Sequence, residues 1–528
     1  MATCIRKILV NRLDDVIENV DFDKFSNGII SVNKDKFNKS ILESIVKNGP
    51  IYNKGDLDIE KKKIVVEFSS PNIAKPFHVG HLHSTVLGNC LSNLYKTFNH
   101  DVVRLNYLGD HGLQVVLLCV AFQRYGSEEK LQADPLKHLY EVYVEIHNKI
   151  DEEAGGDDGR LTPTYTETKE LYQRIDSGER VEEFETLWKR LCDISRSEYD
   201  KMYKRLGIEF DETHTESMYR ERARQLVKDL NEQGKLKERN GMGALVSQKG
   251  DKEYTIYIKK SDGSSLYLTR DIVAAVDRYE KYNFDKIHYV VSEDQAAHFR
   301  NLYISLNMLY PDILQNIQKH EFHLMFGKIF GISTRKGNAV FLEEVLNTAK
   351  NEARKIIESS ETTKINMDEF DKIADHLALS SVVVQYLSSS RRRSYDFNLE
   401  KFVNLKADSG LFLQYCHARL YSLKKEMKID DIETIDYKLL PEEKACFLIF
   451  QLSRYPDVLQ LALDKYQPHT LVQYLFVLGH AINSAYAELK VNGQDKGTME
   501  ARLGLFNCAR ETLAHGLRIL GLEPLNEL

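Results

Sequence analysis

The 528-residue sequence has few cysteines and lacks any apolar run that approaches the ~18 residues of a membrane span. Its seven cysteines are scattered, and none forms a CxxC pair. We therefore expect neither a zinc site nor a disulfide framework, and we expect a reducing compartment. No secretory hydrophobic segment followed by small residues is present, so we do not expect secretion.

Neither sign of charge dominates the sequence. Lysine and arginine number 72 and aspartate and glutamate 79, which gives a net charge of −7. The total charge therefore gives no indication of nucleic-acid binding, although a local basic groove would be enough for it. The 42% hydrophobic and 10% aromatic residues exclude a disordered chain. At about 100–200 residues per domain, the length predicts about three to five domains.

The first 60 residues allow two interpretations. Apolar residues recur at helical spacing within residues 5–17, and basic residues precede the first acids. This pattern fits a short amphipathic transit segment, and it fits the first helix of the folded protein equally well. We treat residues 1–60 as a short amino-terminal region of one of these two kinds.

The next elements predict an α/β fold. A β-rich run at 64–68 is followed by a polar loop, a helical pattern from about 81 to 98, and a second β-rich run at 102–105. Strand, loop, helix and strand in this order begin a βαβ unit with parallel strands. Further strand signals lie at 254–260, 265–271 and 286–292.

Sequence patterns in the remaining regions predict helices. We predict an α/β domain at 61–346 that is interrupted by a helical insertion at about 115–235. Helical patterns with almost no proline then run to the end of the chain, which indicates a bundle. We assign 347–374 to connecting helices and 375–528 to the bundle.

The loop FHVGH at 77–81 carries the strongest chemical signal. Loops at the carboxyl ends of parallel strands bind ligands, and helix N-termini attract anions. His78 and His81 share one helix face, where both can donate hydrogen bonds to phosphate oxygens, and Gly80 lets a nucleotide approach the backbone. The alternatives are two ordinary structural histidines, or a zinc site for which no third ligand is apparent nearby.

A second polar segment, GISTRKGN at 331–338, combines hydroxyls, two cations and glycines. Such a loop suits a polyphosphate leaving group. Taken alone, the segment fits a solvated basic turn equally well. What favours the phosphate-binding interpretation is that the segment follows HVGH in the sequence.

Together these two segments resemble the signatures of class I aminoacyl-tRNA synthetases, and other blocks are similar to the arginyl-tRNA synthetases. The resemblance extends from about residue 60 to the end of the chain, and the spacing of the middle blocks resembles the animal mitochondrial form. The blocks are VVEFSSPNIAKPFHVGHLHST (65–85), LNYLGDHGLQ (105–114), SDGSSLYLTRDIVAAVDRYEKYNFDKIHYVV (261–291), GLFLQYCHARLYSL (410–423) and ARLGLFNCARETLAHGLRILGLEPL (501–525).

The resemblance implies a class I Rossmann-type parallel-sheet catalytic domain with a helical insertion, followed by an all-α anticodon-binding bundle. It implies that ATP and L-arginine form arginyl-adenylate and pyrophosphate. The arginyl group then passes to the 2′-hydroxyl of the terminal adenosine of tRNA(Arg). Mg²⁺ is expected to accompany ATP through phosphate oxygens and water, with no metal held by the protein.

The resemblance also implies roles for individual residues. His78 and His81 are expected to donate to phosphate oxygens, and Lys75 to replace a lysine that the second segment lacks. The implied catalytic residues are His78, His81, Lys75 and Lys336. The implied ATP-binding residues are His78, Gly80, His81, Ser333 and Lys336, and the implied arginine-binding residues are Ser70, Asn72, His81, Tyr267, Asp271 and Gln295.

Asp271 has two readings. The resemblance implies that its carboxylate pairs with the planar guanidinium of arginine, with Tyr267 adding ring and hydroxyl contacts. From the sequence alone, Asp271 reads as a helix cap.

Contacts to tRNA are implied in the carboxy-terminal region, although tyrosines and charges in helices also serve packing and solvation. A short amino-terminal region would further imply a reduced domain for the tRNA elbow. The candidate tRNA-binding residues are Arg391, Arg392, Gln414, Tyr415, Arg419 and Tyr486.

Departures from the family pattern keep a second reading open. His83 stands where many relatives have arginine, His111 where they have tryptophan, and Gly331 where the class has lysine. These changes would fit a catalytically impaired RNA-binding relative. Small nucleotidyltransferases also carry HxGH, but they are much shorter.

We expect the protein to be a monomer without a membrane partner. We expect it in the mitochondrial matrix, with the cytoplasm as the alternative.

Overall fold

In a computed structural model, contacts divide the chain into two units. We call residues 1–59, 349–388 and 403–528 the helical unit, and residues 60–348 and 389–402 the α/β unit. No helix in the described part of the chain is long and apolar enough to cross a membrane. The structure describes residues 16–22, 28–51, 60–73, 75–156, 158–249, 252–261, 265–330, 341–359, 369–396, 408–429 and 432–528.

The helical unit begins with a hairpin and a helix. β1 (Ile17–Phe22) pairs antiparallel with β2 (Gly28–Val32), and α1 (Lys34–Asn48) follows. Asn33 caps α1 by accepting a hydrogen bond from the backbone N–H of Lys36 at 3.0 Å. The helical pattern predicted at 5–17 lies outside the described residues up to residue 15, and Ile17 begins a strand because it pairs with Val32.

The first elements of the α/β unit confirm the predicted βαβ unit. β3 (Lys63–Glu67) leads through a loop into α2 (Val79–Thr97), and β4 (Asp101–Leu108) follows. β3 and β4 are parallel, with Val65 opposite Val103. The buried valines of β3 are typical of a parallel strand that is covered on both faces.

Helices follow β4, within the stretch predicted as an insertion. Pro163 occupies the first turn of one of them, where its missing N–H costs no hydrogen bond. These helices are α3 (Leu113–Tyr125), α4 (Glu128–Ala133), α5 (Pro135–Ala154), α6 (Pro163–Ser177) and α7 (Glu182–Leu206).

The chain then returns to the sheet before residue 235. β5 (Glu212–Thr215) pairs in parallel with β4, and a 3₁₀ turn (Glu216–Tyr219) leads into α8 (Arg220–Glu232). The sequence of β5 is ETHT, which has no apolar alternation, so pattern reading missed this strand.

The strand predicted at 254–260 is confirmed, and the strand predicted at 265–271 is wrong. β6 (Lys237–Arg239), β7 (Met242–Lys249) and β8 (Lys252–Lys259) form an antiparallel sheet. α9 (Tyr267–Tyr282) begins inside the second predicted strand. The helical spacing of the apolar residues that follow, from Leu268 to Val276, extends back over the short alternating run and outweighs it.

β9 (Lys286–Tyr289) completes the central sheet in the order β5-β4-β3-β9, with all pairs parallel. The carboxyl ends of these strands therefore lie at one edge, where α/β proteins place their ligands. The unit continues with α10 (Ala296–Leu309), α11 (Lys319–Phe322) and β10 (Ile329–Phe330).

The later chain is mainly helical, as predicted. Within the helical unit, α1 packs against α15 and α18, and the amide of Asn38 lies 3.6 Å from the sulfur of Cys446. β11 belongs to the α/β unit and pairs in parallel with β10. The remaining elements are α12 (Leu342–Glu358), α13 (Phe370–Leu387), β11 (Tyr395–Asp396), α14 (Gly410–Met427), α15 (Glu443–Ser453), α16 (Tyr455–Asp464), α17 (His469–Glu488) and α18 (Lys496–Ile519).

Candidate active site

The loop after β3 starts with two strained residues. Ser69 and Ser70 have φ values of 73° and 46°, a left-handed conformation that L-residues with side chains adopt at a cost of about 1–3 kcal/mol each. The backbone N–H of Ser69 donates to Oγ of Ser84 at 2.9 Å, and that of Ser70 donates to Oδ1 of Asn106 at 3.1 Å. Neighbouring side chains thus hold the backbone in this conformation.

Asn72 lies against the next strand end because a glycine faces it. A Cβ added to Gly109 would lie 2.0 Å from Oδ1 of Asn72, so no larger residue fits there without movement. The backbone N–H of Ile73 donates to the carbonyl of Gly109 at 3.0 Å. Gly109 therefore couples the loops that follow β3 and β4.

His78 and His81 are arranged as a reciprocal cap at the start of α2. The backbone N–H of Gly80 donates to Nδ1 of His78 at 3.1 Å, and the backbone N–H of His78 donates to Nδ1 of His81 at 3.4 Å. Because both Nδ1 atoms accept hydrogen bonds, the neutral rings carry their proton on Nε2. Each ring thus has an N–H available for a ligand.

Burial keeps both histidines neutral. It lowers the pKa of His78 to about 4, and it lowers the pKa of His81 well below its usual range, with His78 and Lys75 adding to this effect. The two rings stack with centroids 3.8 Å apart. At neutral pH they can donate hydrogen bonds to an anion without bearing a charge.

The two histidines face a cavity of about 390 Å³ at the carboxyl edge of the sheet. The loop after β3, the start of α9 and the loop after β9 surround it. Its lining includes the predicted site residues Ser70, Asn72, His78, Gly80, His81, Tyr267 and Gln295.

A second cavity of about 420 Å³ adjoins the first. The two share Asn72, Gly109, Glu216, Tyr267 and Gln295 in their lining. Lys75 lines only the second cavity, together with the β4–α3 turn and Arg270.

Glu67 forms a buried ion pair at the end of β3. Nη1 of Arg278, on α9, lies 2.5 Å from Oε2 of Glu67, and both side chains are almost wholly buried. Burial raises the pKa of Glu67, while the guanidinium of Arg278 opposes that shift. The pair joins β3 to α9, and Glu67 itself lines the first cavity.

Asp271 is not a helix cap. Leu266 occupies the N-cap position of α9, without a side-chain capping bond. Oδ2 of Asp271 instead pairs with Nε2 of His298 at 2.7 Å. Its Oδ1 is buried and has no hydrogen-bond partner among the described residues. Asp271 lines neither cavity, whereas Tyr267, one turn earlier on α9, lines both. An unpartnered buried oxygen is costly unless a hydrogen-bond donor meets it.

Sequence reasoning missed Glu216. It begins the 3₁₀ turn after β5, lines both cavities and is buried. Nη2 of Arg270 lies 3.4 Å from its Oε2, yet burial outweighs this contact and raises the pKa of Glu216 to about 8. The signal that could have found it is its position just after a strand of the sheet, but that strand is too short and polar to be recognised.

Two predicted residues, Ser333 and Lys336, lie outside the described residues. The described chain resumes at Phe341, which pairs with His78, and the backbone N–H of Leu342 donates to the carbonyl of Phe77 at 2.8 Å. Among the described residues, no group of three or more histidine, cysteine, aspartate or glutamate side chains could hold a metal ion.

The histidines that depart from the family pattern are packed within the α/β unit. His83 is buried and stacks on Phe326 with centroids 4.5 Å apart. Nε2 of His111 lies 3.4 Å from Oδ1 of Asp176 on α6. His111 also lines the second cavity, whereas His83 lines neither cavity.

The candidate tRNA-binding residues divide by exposure. Arg391 is buried and donates to the carbonyl of Met325, and Gln414 is wholly buried, with its amide bonded inside the helical unit. Arg419 is exposed, and its guanidinium lies 5.5 Å from the ring centre of Tyr486. Arg392 is exposed, and Tyr415 and Tyr486 are half-buried.

A family model described as "tRNA synthetases class I (R), catalytic domain" matches residues 42–399, and one described as "DALR anticodon binding domain" matches residues 413–528. The first match covers more than half of the chain. With the parallel sheet and the histidine loop at its carboxyl edge, it defines a class I tRNA synthetase.

Curated relatives narrow this class. The chain is 40% identical over 487 residues to the probable cytoplasmic arginine–tRNA ligase of Dictyostelium discoideum, covering 88% of this chain and 81% of that protein. It is 37% identical over 499 residues to the probable mitochondrial arginine–tRNA ligase of Bos taurus, covering 94% and 84%. The chain belongs to the arginine–tRNA ligases, which confirms the predicted family.

Solved structures agree with the fold. Arginyl-tRNA synthetase from Thermus thermophilus gives a TM-score of 0.78 at 20% identity, covering 100% of this chain and 92% of that chain. The enzyme from Plasmodium falciparum gives 0.76 at 21% identity, covering 99% and 89%. Nothing in the comparisons favours the catalytically impaired alternative.

Proposed function

We propose that this arginine–tRNA ligase activates L-arginine with ATP at the 390 Å³ cavity, and that neutral His78 and His81 donate Nε2–H hydrogen bonds to the phosphate oxygens of ATP. The observation that carries this proposal is the pair of occupied Nδ1 acceptors, which directs both ring protons to Nε2. The carboxylate of arginine is already ionised and attacks the α-phosphorus without a general base. The site therefore needs to align the reactants and stabilise charge on the leaving pyrophosphate.

Arginine would bind with its side chain toward α9. Its planar guanidinium matches the unpartnered Oδ1 of Asp271, one helical turn after Tyr267, and the buried carboxyl group of Glu216, which lines the cavity. The ring and hydroxyl of Tyr267 add contacts. The remaining polar contacts to arginine are assigned to Ser70, Asn72, His81 and Gln295.

Cations would complete the phosphate site. Lys75 takes the place of the lysine absent from the second signature, while Ser333 and Lys336 serve the leaving pyrophosphate. Mg²⁺ would accompany ATP through phosphate oxygens and water, since Mg²⁺ at nucleotide sites commonly retains several waters.

The second step transfers arginine to the 2′-hydroxyl of the terminal adenosine of tRNA(Arg). Within the helical unit, exposed Arg419 beside the ring of Tyr486 supports a combined phosphate and stacking contact. Tyr415 and Arg392 are accessible for further contacts. Arg419→Ala should raise KM for tRNA about threefold and leave arginine KM unchanged; an unchanged tRNA KM would remove this contact.

We further propose that the protein acts as a monomer in the mitochondrial matrix, with the cytoplasm as the alternative, since relatives named for either compartment have similar identity. A fluorescent fusion tests the compartment, and diffuse cytosolic signal would contradict the matrix. Sedimentation equilibrium tests the monomer, and a mass near twice 61.0 kDa would contradict it.

The test of the main proposal is charging of tRNA with radiolabelled arginine by the full chain and by the double variant His78→Ala, His81→Ala. Cytosolic and mitochondrial arginine tRNAs are supplied separately. We expect charging by the full chain and loss of charging in the variant. Absence of charging of both tRNAs by folded full chain would overturn the proposal.

A further inference from the structure

The inserted helix α7 presents two tyrosines to the loop that carries the candidate catalytic residues. Tyr199 is almost wholly buried, and its hydroxyl lies 2.6 Å from the carbonyl oxygen of Asn72 and 2.8 Å from that of Lys75. The backbone N–H of Lys75 also donates to the carbonyl of Asn72 at 3.3 Å. One phenolic proton is thus shared between the two ends of the turn at 72–75.

Tyr203, one helical turn later, contacts the beginning of the same loop. Its hydroxyl lies 2.8 Å from Oγ of Ser69 and accepts a hydrogen bond from the amide of Asn106 at 3.2 Å. Because the hydroxyl accepts this hydrogen bond from Asn106, its own proton remains available for a hydrogen bond to Ser69. Ser69 is one of the two residues in the left-handed conformation, so this contact acts where the backbone is strained.

The ring of Phe77 connects both tyrosines to the histidines. Phe77 packs edge-on against Tyr199 and Tyr203, with ring centroids 6.3 Å and 5.6 Å apart. The ring of Phe77 also lies 5.3 Å from that of His81, which stacks on His78. The face of α7 that bears the tyrosines therefore contacts the loop near Ser69, at the turn 72–75 and, through Phe77, at His81.

We propose that Tyr199 and Tyr203 are positioning residues for arginine activation. Their hydroxyls hold the loop after β3 in the conformation in which Asn72, Lys75 and the two histidines can contact their ligands. This proposal rests on the roles proposed above for Asn72, Lys75 and His81. The insertion thereby serves the first chemical step from outside the cavity, since neither tyrosine lines the 390 Å³ cavity.

The test uses Tyr199→Phe and Tyr203→Phe, which remove only the hydroxyls. Tyr303→Phe is the matched control, because its hydroxyl also donates to a backbone carbonyl of the α/β unit, that of Ile317 at 3.0 Å, away from the loop. ATP–pyrophosphate exchange is measured in the presence of tRNA, with active sites counted by the burst of adenylate.

For each of the two variants we expect kcat per active site to fall about tenfold, with KM for ATP and arginine within about twofold. Tm should fall no further than in Tyr303→Phe. A kcat per active site equal to that of the control in both variants would overturn the proposal. If one variant fails to fold, the other decides the question alone.

A double-mutant cycle separates this proposal from the one on which it rests. Lys75→Ala is combined with Tyr199→Phe. We expect the loss in the double variant to be smaller than the product of the two single losses, because Tyr199 holds Lys75 as well as Asn72. Fully multiplicative losses would contradict this coupling. An unchanged rate in Lys75→Ala alone would instead contradict the catalytic role of Lys75 and leave the tyrosine result to be judged on kcat.

Discussion

The two sides of the cavity solve the problem of buried polar groups in opposite ways. On the side of α2, His78 and His81 are neutral, and their Nδ1 atoms are occupied by backbone N–H groups of the same helix start. On the side of α9, Glu216 lines the cavity and Asp271 lies one helical turn after the lining residue Tyr267. Both are buried carboxyl groups, and Oδ1 of Asp271 has no partner among the described residues.

This difference follows from what each side would bind. Donors for an anion can be in place before the ligand arrives, because burying a neutral N–H costs much less than burying a charge. A site for a cation needs carboxyl groups that can bear negative charge, and burying such a charge without a partner is costly, which is why burial raises the pKa of Glu216. We therefore expect variants on the α9 side to change arginine binding most, and variants at the histidines to change the rate.

The largest effect is expected for Asp271→Asn. Removing one partner of a buried charge pair costs about 2–5 kcal/mol, so kcat/KM for arginine should fall about a thousandfold, with KM for ATP little changed. Steady-state aminoacylation measures both constants. Asp277→Asn is the control on the same helix, because Asp277 pairs at the surface with Arg222. Equal losses in the two variants would contradict the assigned role of Asp271.

His78→Ala comes next. Loss of one preorganised donor should lower kcat about a hundredfold, with KM for arginine nearly unchanged. His78→Gln places an amide N–H near the position of Nε2 and should recover about tenfold of that loss. ATP–pyrophosphate exchange measures the rates, and exposed His320→Ala serves as control. A change confined to KM for arginine would contradict the expectation that the histidines affect the rate and the α9 side affects arginine binding.

Glu216→Gln tests whether ionisation of Glu216 controls how arginine binding depends on pH. Because the pKa of Glu216 is about 8, the free enzyme holds this carboxyl protonated at pH 7, and a guanidinium must displace that proton. The KM for arginine in the full-length protein should therefore fall about tenfold as the pH rises from 7, and should level off above pH 8. The variant should show a flatter profile with a higher KM at pH 9. Identical profiles in both proteins would exclude Glu216 from arginine binding.

The smallest effect is expected for His298→Ala. Nε2 of His298 holds Oδ2 of Asp271, and its ring lies 4.5 Å from that of Tyr267. Loss of this support should raise KM for arginine about fivefold, which corresponds to the net value of one hydrogen bond. Isothermal titration with arginine measures the change in affinity. An effect on ATP binding alone would show that His298 belongs to the other side.

The side of α2 could be predicted from the sequence because its elements are local. His78, Gly80 and His81 lie within one helix start, so strand, loop and helix patterns predicted their neighbourhood directly. The tautomer was not predictable, since it depends on which backbone N–H groups reach each Nδ1.

The α9 side was harder to read because its groups come from distant parts of the chain. Glu216 follows a four-residue polar strand that carries no apolar pattern, and Tyr267 begins a helix inside an apparent strand. The contact of Tyr199 with the loop after β3 joins residues more than one hundred positions apart, and no local pattern indicates such a contact. Family resemblance assigns arginine binding to Asp271, which stays a prediction, whereas the residue pattern alone indicated a helix cap, which is wrong.

The most direct test of the central claim is the proton position on His78 and His81. Two-bond ¹H–¹⁵N correlation spectra are recorded at pH 7 on protein with ring-labelled histidine, and the two rings are assigned with His78→Gln and His81→Gln. We predict Nε2–H tautomers for both rings, with His78 still neutral until the pH approaches about 4. Nδ1–H tautomers, or imidazolium signals at pH 7, would contradict the account.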